Sequence, residues 1–179
     1  AVIYTKDFKR YVLRMLVFAL ISEIPFDLAI YGTPFYWESQ NVIFTLLIGA
    51  IAIYGINYFW KSDYKSVIKI LASLLIIILA RNLSLIMRTD YSANGIIAIV
   101  LIYLAKDNKI LTAIALLVAF YFEFRMFGYA IPVTYGFVYL AIPLIMLYNG
   151  QRGKQNKWAF YIFYPAHLLA IYLLKLLIL

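Results

Sequence analysis

His167 is the single histidine of the chain, and it stands in a charge-free apolar stretch from Trp158 to Leu174. In a helix it would lie about 14 Å beyond Trp158, close to the middle of a bilayer. An imidazole at that depth needs a partner, a water-filled cavity or a substrate. The blander reading is a neutral ring satisfied by a neighbouring helix. Arg14 and Glu23 interrupt the first apolar run. At about 100° per residue their spacing sets them on different parts of one helix, so each needs a partner from another. Glu23 is expected either to pair with Arg14 or Arg81, or to exchange protons in company with His167. Arg81, near the far end of the third run, is expected to snorkel to the interface.

Composition bounds the setting of this chemistry. The chain has 179 residues, 66% of them hydrophobic and 13% charged, with a mean hydropathy of +0.90. A soluble domain of this length cannot hide so much apolar surface, so the expected class is an all-α, polytopic membrane helix bundle forming one domain. Seventeen Tyr, thirteen Phe and three Trp suit helix packing and interfacial belts. With no cysteine, disulfides, thiolate-held metals and thiol catalysis are excluded, and one histidine excludes a multi-histidine metal site. No metal is expected. The net charge of +8 comes from small basic groups between apolar runs, a pattern that sets topology and gives no reason to expect nucleic acid.

Seven apolar segments position the polar residues: Tyr11 to Ile30, Val42 to Trp60, Val67 to Met87, Gly95 to Ala105, Ile110 to Phe122, one within Gly128 to Tyr148, and Trp158 to the end. The fourth and fifth fall short of the roughly 17–25 residues of a full span. They are expected either to draw on flanking polar residues or to re-enter shielded by protein. With a cytoplasmic N-terminus, alternation puts eleven of the sixteen Lys and Arg on the cytoplasmic side: Lys6, Lys9, Arg10, Lys61, Lys65, Lys69, Lys106, Lys109, Arg152, Lys154 and Lys157. Arg81, Arg88, Arg125 and Lys175 fall on the other side. This asymmetry supports both the orientation and the count.

Other polar residues have structural readings. Ser22-Glu23-Ile24-Pro25 is a place for a helix to bend. Asp27 reads as interfacial. Asn41 has the chemistry of an N-cap for the second span. Arg88-Thr89-Asp90-Tyr91 reads as a loop in which Asp90 caps the fourth helix or pairs with Arg88. Asn149-Gly150-Gln151-Arg152-Gly153-Lys154 reads as a glycine-terminated helix and a basic turn, able to meet anionic lipid or a nucleotide phosphate. No GxxxxGK, GxGxxG, HExxH or GxSxG motif occurs.

Several strings resemble the TraX-like family of membrane proteins, named for conjugal-transfer pilin acetyltransferases. They are Tyr4-Thr-Lys-Asp-Phe-Lys-Arg-Tyr11; Leu13-Arg14 onward to Ser22-Glu23-Ile-Pro25-Phe26; Asn41-Val-Ile-Phe-Thr45; Asp90-Tyr91 with Gly95; Leu147-Tyr-Asn-Gly150; and Phe160-Tyr-Ile-Phe-Tyr164-Pro165-Ala-His167-Leu-Leu169. They follow family order and cover most of the chain. The resemblance implies a membrane acyltransferase of a bacterial cytoplasmic (inner) membrane. It would use acyl-CoA, acetyl-CoA among them, as co-substrate. The acceptor in conjugative members is the N-terminal amine of pilin. It also implies an upstream helix with an Asp-His-Ile-Gly-like motif and a Gly-Arg element, neither of which precedes Ala1 here, so a segment is expected to be missing.

On that reading His167 takes a proton from the acceptor amine, Glu23 orients or stabilises the charged ring, and Arg14 stabilises the oxyanion. Asn41, Arg81, Asp90, Tyr91 and Tyr164 form the expected substrate-binding set. Arg152, Lys154 and Lys157 meet the phosphates of the donor. The expected partners are membrane lipid and pilin or another acceptor protein. Two other readings fit the same residues: a non-catalytic membrane subunit or degenerate relative, and a small-solute or proton-coupled transporter using His167 and Glu23 as a relay.

Overall fold

The computed structural model describes residues 2, 5–127, 136–148 and 157–178, without the side chains of 124–127, 157, 158 and 160. The described chain is all-helical. Its elements are α1 (Phe8–Tyr31), α2 (Val42–Lys61), α3 (Ser66–Ile86), α4 (Ser92–Ala105), α5 (Lys109–Phe127), a 3-10 turn (Phe137–Leu140) leading into α6 (Ala141–Met146), and α7 (Lys157–Ile178). These coincide with the apolar segments of the sequence. Among the described residues, Val42–Lys61, Ser66–Ile86 and Tyr161–Ile178 are long and apolar enough to cross a membrane, while α4 and Phe137–Met146 are apolar but shorter. The chain therefore forms an α-helical bundle of membrane-protein type.

Two helices run on past breaks in the apolar pattern. α1 continues through Pro25 without interruption. α5 runs beyond Phe122 through Glu123 to Phe127. A charge ends an apolar run but not a helix, since glutamate is a good helix former. Of the sixth segment, 128–135 lie outside the described residues, and the expected glycine-ended turn at Asn149 to Lys154 does as well.

Helix contacts set the directions. α2 runs antiparallel to α1: Phe8 stacks on Tyr54 at 3.8 Å, while Met15 packs with Leu47 and Ala50. α7 runs parallel to α1: Phe18 stacks on Tyr161 at 4.1 Å, Phe26 and Ala29 pack on Leu168, and Lys175 Nζ donates to the Ala29 carbonyl at 2.5 Å. Ile48 and Ala52 of α2, Ala80 of α3 and Ile96 of α4 make the central core. α2 and α4 thus start at the same end of the bundle.

Two loops bring that end together. α1 stops at Gly32, whose positive φ of 73° lets its N–H close on the Leu28 carbonyl at 3.2 Å. The chain then turns back along α1. Tyr31 stacks on Tyr36 at 3.8 Å, and Asp27 Oδ2 accepts from the Tyr36 amide at 2.8 Å. Asp27 is therefore buried and holds the loop. Asn41 reaches the level of Ala19, roughly 18 Å short of the end of α1 along its axis. The second loop follows α3. Arg88 and Ser92 both take positive φ, 52° and 48°. The Ser84 and Thr89 hydroxyls, both buried, lie 2.6 Å apart. A parallel bridge joins the two loops: Gln40 N donates to Arg88 O at 2.9 Å, and Asp90 N donates to Gln40 O at 2.8 Å.

Gly95 lets α4 close on this junction. A Cβ there would stand 2.6 Å from Tyr91 Cβ and 2.7 Å from Thr45 Cγ2. Gly95→Ala is expected to destabilise the fold by about 1–3 kcal/mol through overpacking. A thermal unfolding curve in detergent checks this, and an unshifted midpoint would contradict the close approach.

Candidate functional site

The polar residues converge where the loops meet. Asn41 is fully buried. Its Oδ1 accepts from the Ile43 amide at 3.0 Å, so it caps α2 as expected. Its Nδ2 also donates to the Ala19 carbonyl at 2.8 Å and to Glu23 Oε2, and its own amide donates to Glu23 Oε2 at 3.3 Å. The other Glu23 oxygen, Oε1, is buried without a hydrogen-bond partner. Among the described residues Glu23 forms no ion pair with Arg14 or Arg81, so the amide, and not a guanidinium, holds the carboxylate.

α7 adds Tyr164, whose phenol oxygen accepts from the Val42 amide and feels the charges of Asp90 and Glu23 and the phenol of Tyr91. α5 adds Glu123. Ala115, Ala119 and Glu123 repeat every four residues along one inward stripe, and all three are buried. Glu123 Oε2 has no hydrogen-bond partner, and Asp90 is the charge that acts on this carboxylate. The apolar pattern ends at Phe122 and gives Glu123 no role. Its spacing from Ala115 and Ala119 was the available signal.

Asp90 neither caps α4 nor pairs with Arg88, correcting both structural expectations. α4 has no side-chain cap bond, and Arg88 Nη1 faces Glu38 Oε1 at 3.9 Å. The backbone bridge to Gln40 turns Asp90 toward the interior, where burial pushes its carboxyl above the ordinary range. Burial also raises the Tyr91 phenol, followed by the negative charges of Asp90 and Glu123. No described Lys or Arg forms an ion pair with Glu23, Asp90 or Glu123. The N-termini of α2 and α4 both open here, and their positive dipole ends supply partial compensation of about 0.3–2 kcal/mol each.

The structure leaves other expected residues apart. Arg14 and Arg81 are exposed. Arg14 lies near Tyr11, and Arg81 Nη1 faces Asn82 Oδ1 at 3.4 Å. Neither joins the carboxylates. His167 is half-buried at the border. Its Nδ1 lies 3.0 Å from the Phe163 carbonyl, and since a carbonyl only accepts, the proton is on Nδ1 and Nε2 is left as the acceptor. The ring stacks on Phe163 at 5.1 Å and meets the edge of Tyr164 at 5.4 Å. No hydrogen bond or ion pair joins it to Glu23. Arg152 and Lys154 lie outside the described residues, as does the side chain of Lys157. Two clefts open elsewhere, one of about 450 Å³ between Tyr54, Asn57, Tyr58, Lys61 and Ser62, the other of about 270 Å³ beside Leu28, Gly32, Tyr172 and Lys175.

The fold and its interior define a helical membrane protein with buried carboxylates and phenols gathered at one helix junction. Residues 3–175 match the TraX protein family, and the chain belongs to it. No curated protein and no solved structure matches the chain.

Asp90 holds its proton to higher pH in the fold than in the unfolded chain. Its contribution is therefore complete below the ordinary carboxyl value of 3.8 and is lost as pH rises through the folded value. Asp90→Asn is expected to flatten the fall in stability as pH rises above the ordinary carboxyl value of 3.8. Unfolding midpoints across that range check it, and an unchanged slope would count against the burial of this group.

Proposed function

We propose that the chain works in a membrane-embedded acyltransferase, moving an acyl group, acetyl foremost, from acyl-CoA to an amine such as a pilin N-terminus, or to a hydroxyl. The supporting observation is that buried Glu123 and half-buried Glu23 and Asp90 gather at one junction without an ion-paired cation among the described residues. Carboxylates held out of water without a counter-ion attract a cationic group, and an ammonium is one. A terminal amine has a pKa of about 7.7–8.0, so it arrives protonated and must lose a proton before it can attack a thioester.

The residues divide the work. Glu23, fixed by Asn41, keeps negative charge beside the acceptor. His167, with Nε2 as its acceptor nitrogen, takes the proton that leaves nitrogen as the C–N bond forms and hands it to the departing thiolate as the C–S bond breaks. Tyr164, its oxygen already accepting from the Val42 amide, gives its O–H to the carbonyl oxygen as negative charge develops there. This replaces the expected role of Arg14, which is exposed and away from the cluster. Arg152, Lys154 and Lys157 remain the proposed contacts to the donor's phosphates, and a bacterial inner membrane the proposed location.

A proton or cation pathway is the second reading, since the same unpartnered carboxylates would serve it. Transfer of labelled acetyl from acetyl-CoA to a peptide amine, in detergent or vesicles, separates the two. His167→Ala and Glu23→Gln are each expected to lower transfer about 100-fold or more with the fold retained. Full transfer by both variants would remove these roles. Proton flux in vesicles without acetyl transfer would favour the pathway.

A further inference from the structure

We propose that Glu123 is the base that strips the proton from the incoming ammonium before acyl transfer begins, a role distinct from that of His167. The inference rests on the acyltransferase reading. Its own basis is placement. Glu123 continues the buried stripe of Ala115 and Ala119, a position where an apolar residue would pack at no electrostatic cost. Its side chain is 7% exposed, and Oε2 makes no hydrogen bond. Among the described residues, the neighbours that act on it or feel its charge are Asp90 and the Tyr91 phenol, neither of them a cation. Its Oε2 thus has no structural partner among the described residues. What it can do is take a proton, and Asp90 beside it makes the pair readier to do so.

The step balances. The ammonium gives H⁺ to the Glu123 carboxylate, leaving a neutral amine and a carboxylic acid. The amine then attacks the thioester carbonyl. The second nitrogen proton passes through His167 to the thiolate, giving the amide and free CoA thiol. Glu123 returns its proton to solvent, so one H⁺ is released per turnover.

Two acceptors test this. Glycinamide is largely protonated at pH 7 and needs the base, whereas hydroxylamine is already neutral and does not. With acetyl-CoA as donor, Glu123→Gln is expected to lower kcat/KM for glycinamide at least about tenfold and for hydroxylamine less than about threefold. Glu123→Asp, which keeps a carboxyl, is expected to recover part of the glycinamide rate. Equal losses with both acceptors, or no loss with either, would overturn the assignment while leaving the acyltransferase reading in place. Transfer to neither acceptor by the parent chain would overturn that reading, and this role with it. An unfolding midpoint for each variant guards against misfolding, and a Glu123→Gln chain that does not fold while Glu123→Asp keeps the parent's acceptor ratio would also count against the role.

Discussion

The junction depends on one buried amide. Asn41 caps α2 with its oxygen, and with its nitrogen it joins Ala19 and Glu23 in the middle of α1. Every donor and acceptor it has near these helices is used, in a place fully shut from solvent. A buried amide left without these partners costs a few kcal/mol, so the alternatives in which α2 starts at another level of α1 are disfavoured. That single register decides the rest. Gln40 is drawn into the bridge with residues 88–90, the bridge fixes Asp90, and α4 starts beside the N-terminus of α2.

Once the two N-termini share one end, the electrostatics follow. Glu23, Asp90 and Glu123, the last buried and the others half-buried, have no ion-paired cation among the described residues and are offset by helix dipoles, amide donors and phenols. This arrangement is weaker in holding charge than an ion pair would be, and on the proposed function that weakness admits the acceptor ammonium. A guanidinium at Glu23 or Glu123 would stabilise the carboxylate and close the place to an incoming cation. Backbone strain gathers at the same junction, in the positive φ of Arg88 and Ser92 on either side of Asp90 and Tyr91. Non-glycine residues keep such angles only where the surroundings enforce them, and they concentrate at working sites.

Much of the frame was legible in the chain. The apolar runs located the described helices, with ends shifted by up to five residues, because length and hydropathy alone decide which segments leave water. Asn41 read as a cap and is one. What the pattern concealed were partners made by tertiary register. Nothing local shows that the segment after Gly32 turns back along α1, so neither the loop contact of Asp27 nor the contacts of Asn41 beyond its cap can be read from the pattern. Glu123 is hidden for the opposite reason: its charge ends the apolar run, yet the residue continues a buried stripe of the same helix. Arg14 and Glu23 share a helix, but their angular separation, visible in the spacing, already kept them from meeting. His167 was rightly placed within an apolar helix, yet its contact with Tyr164, and not with Glu23, needed the fold.

The account therefore stands on the coupling between Asn41 and Glu23. A double-mutant cycle of Asn41→Ala and Glu23→Ala, read by reversible unfolding of the detergent-purified chain, measures it directly. A coupling of about 1.5–3 kcal/mol is predicted for a hydrogen bond to a charged group. Additive effects within about 0.5 kcal/mol would mean that the two residues do not meet, and the junction as described would be wrong.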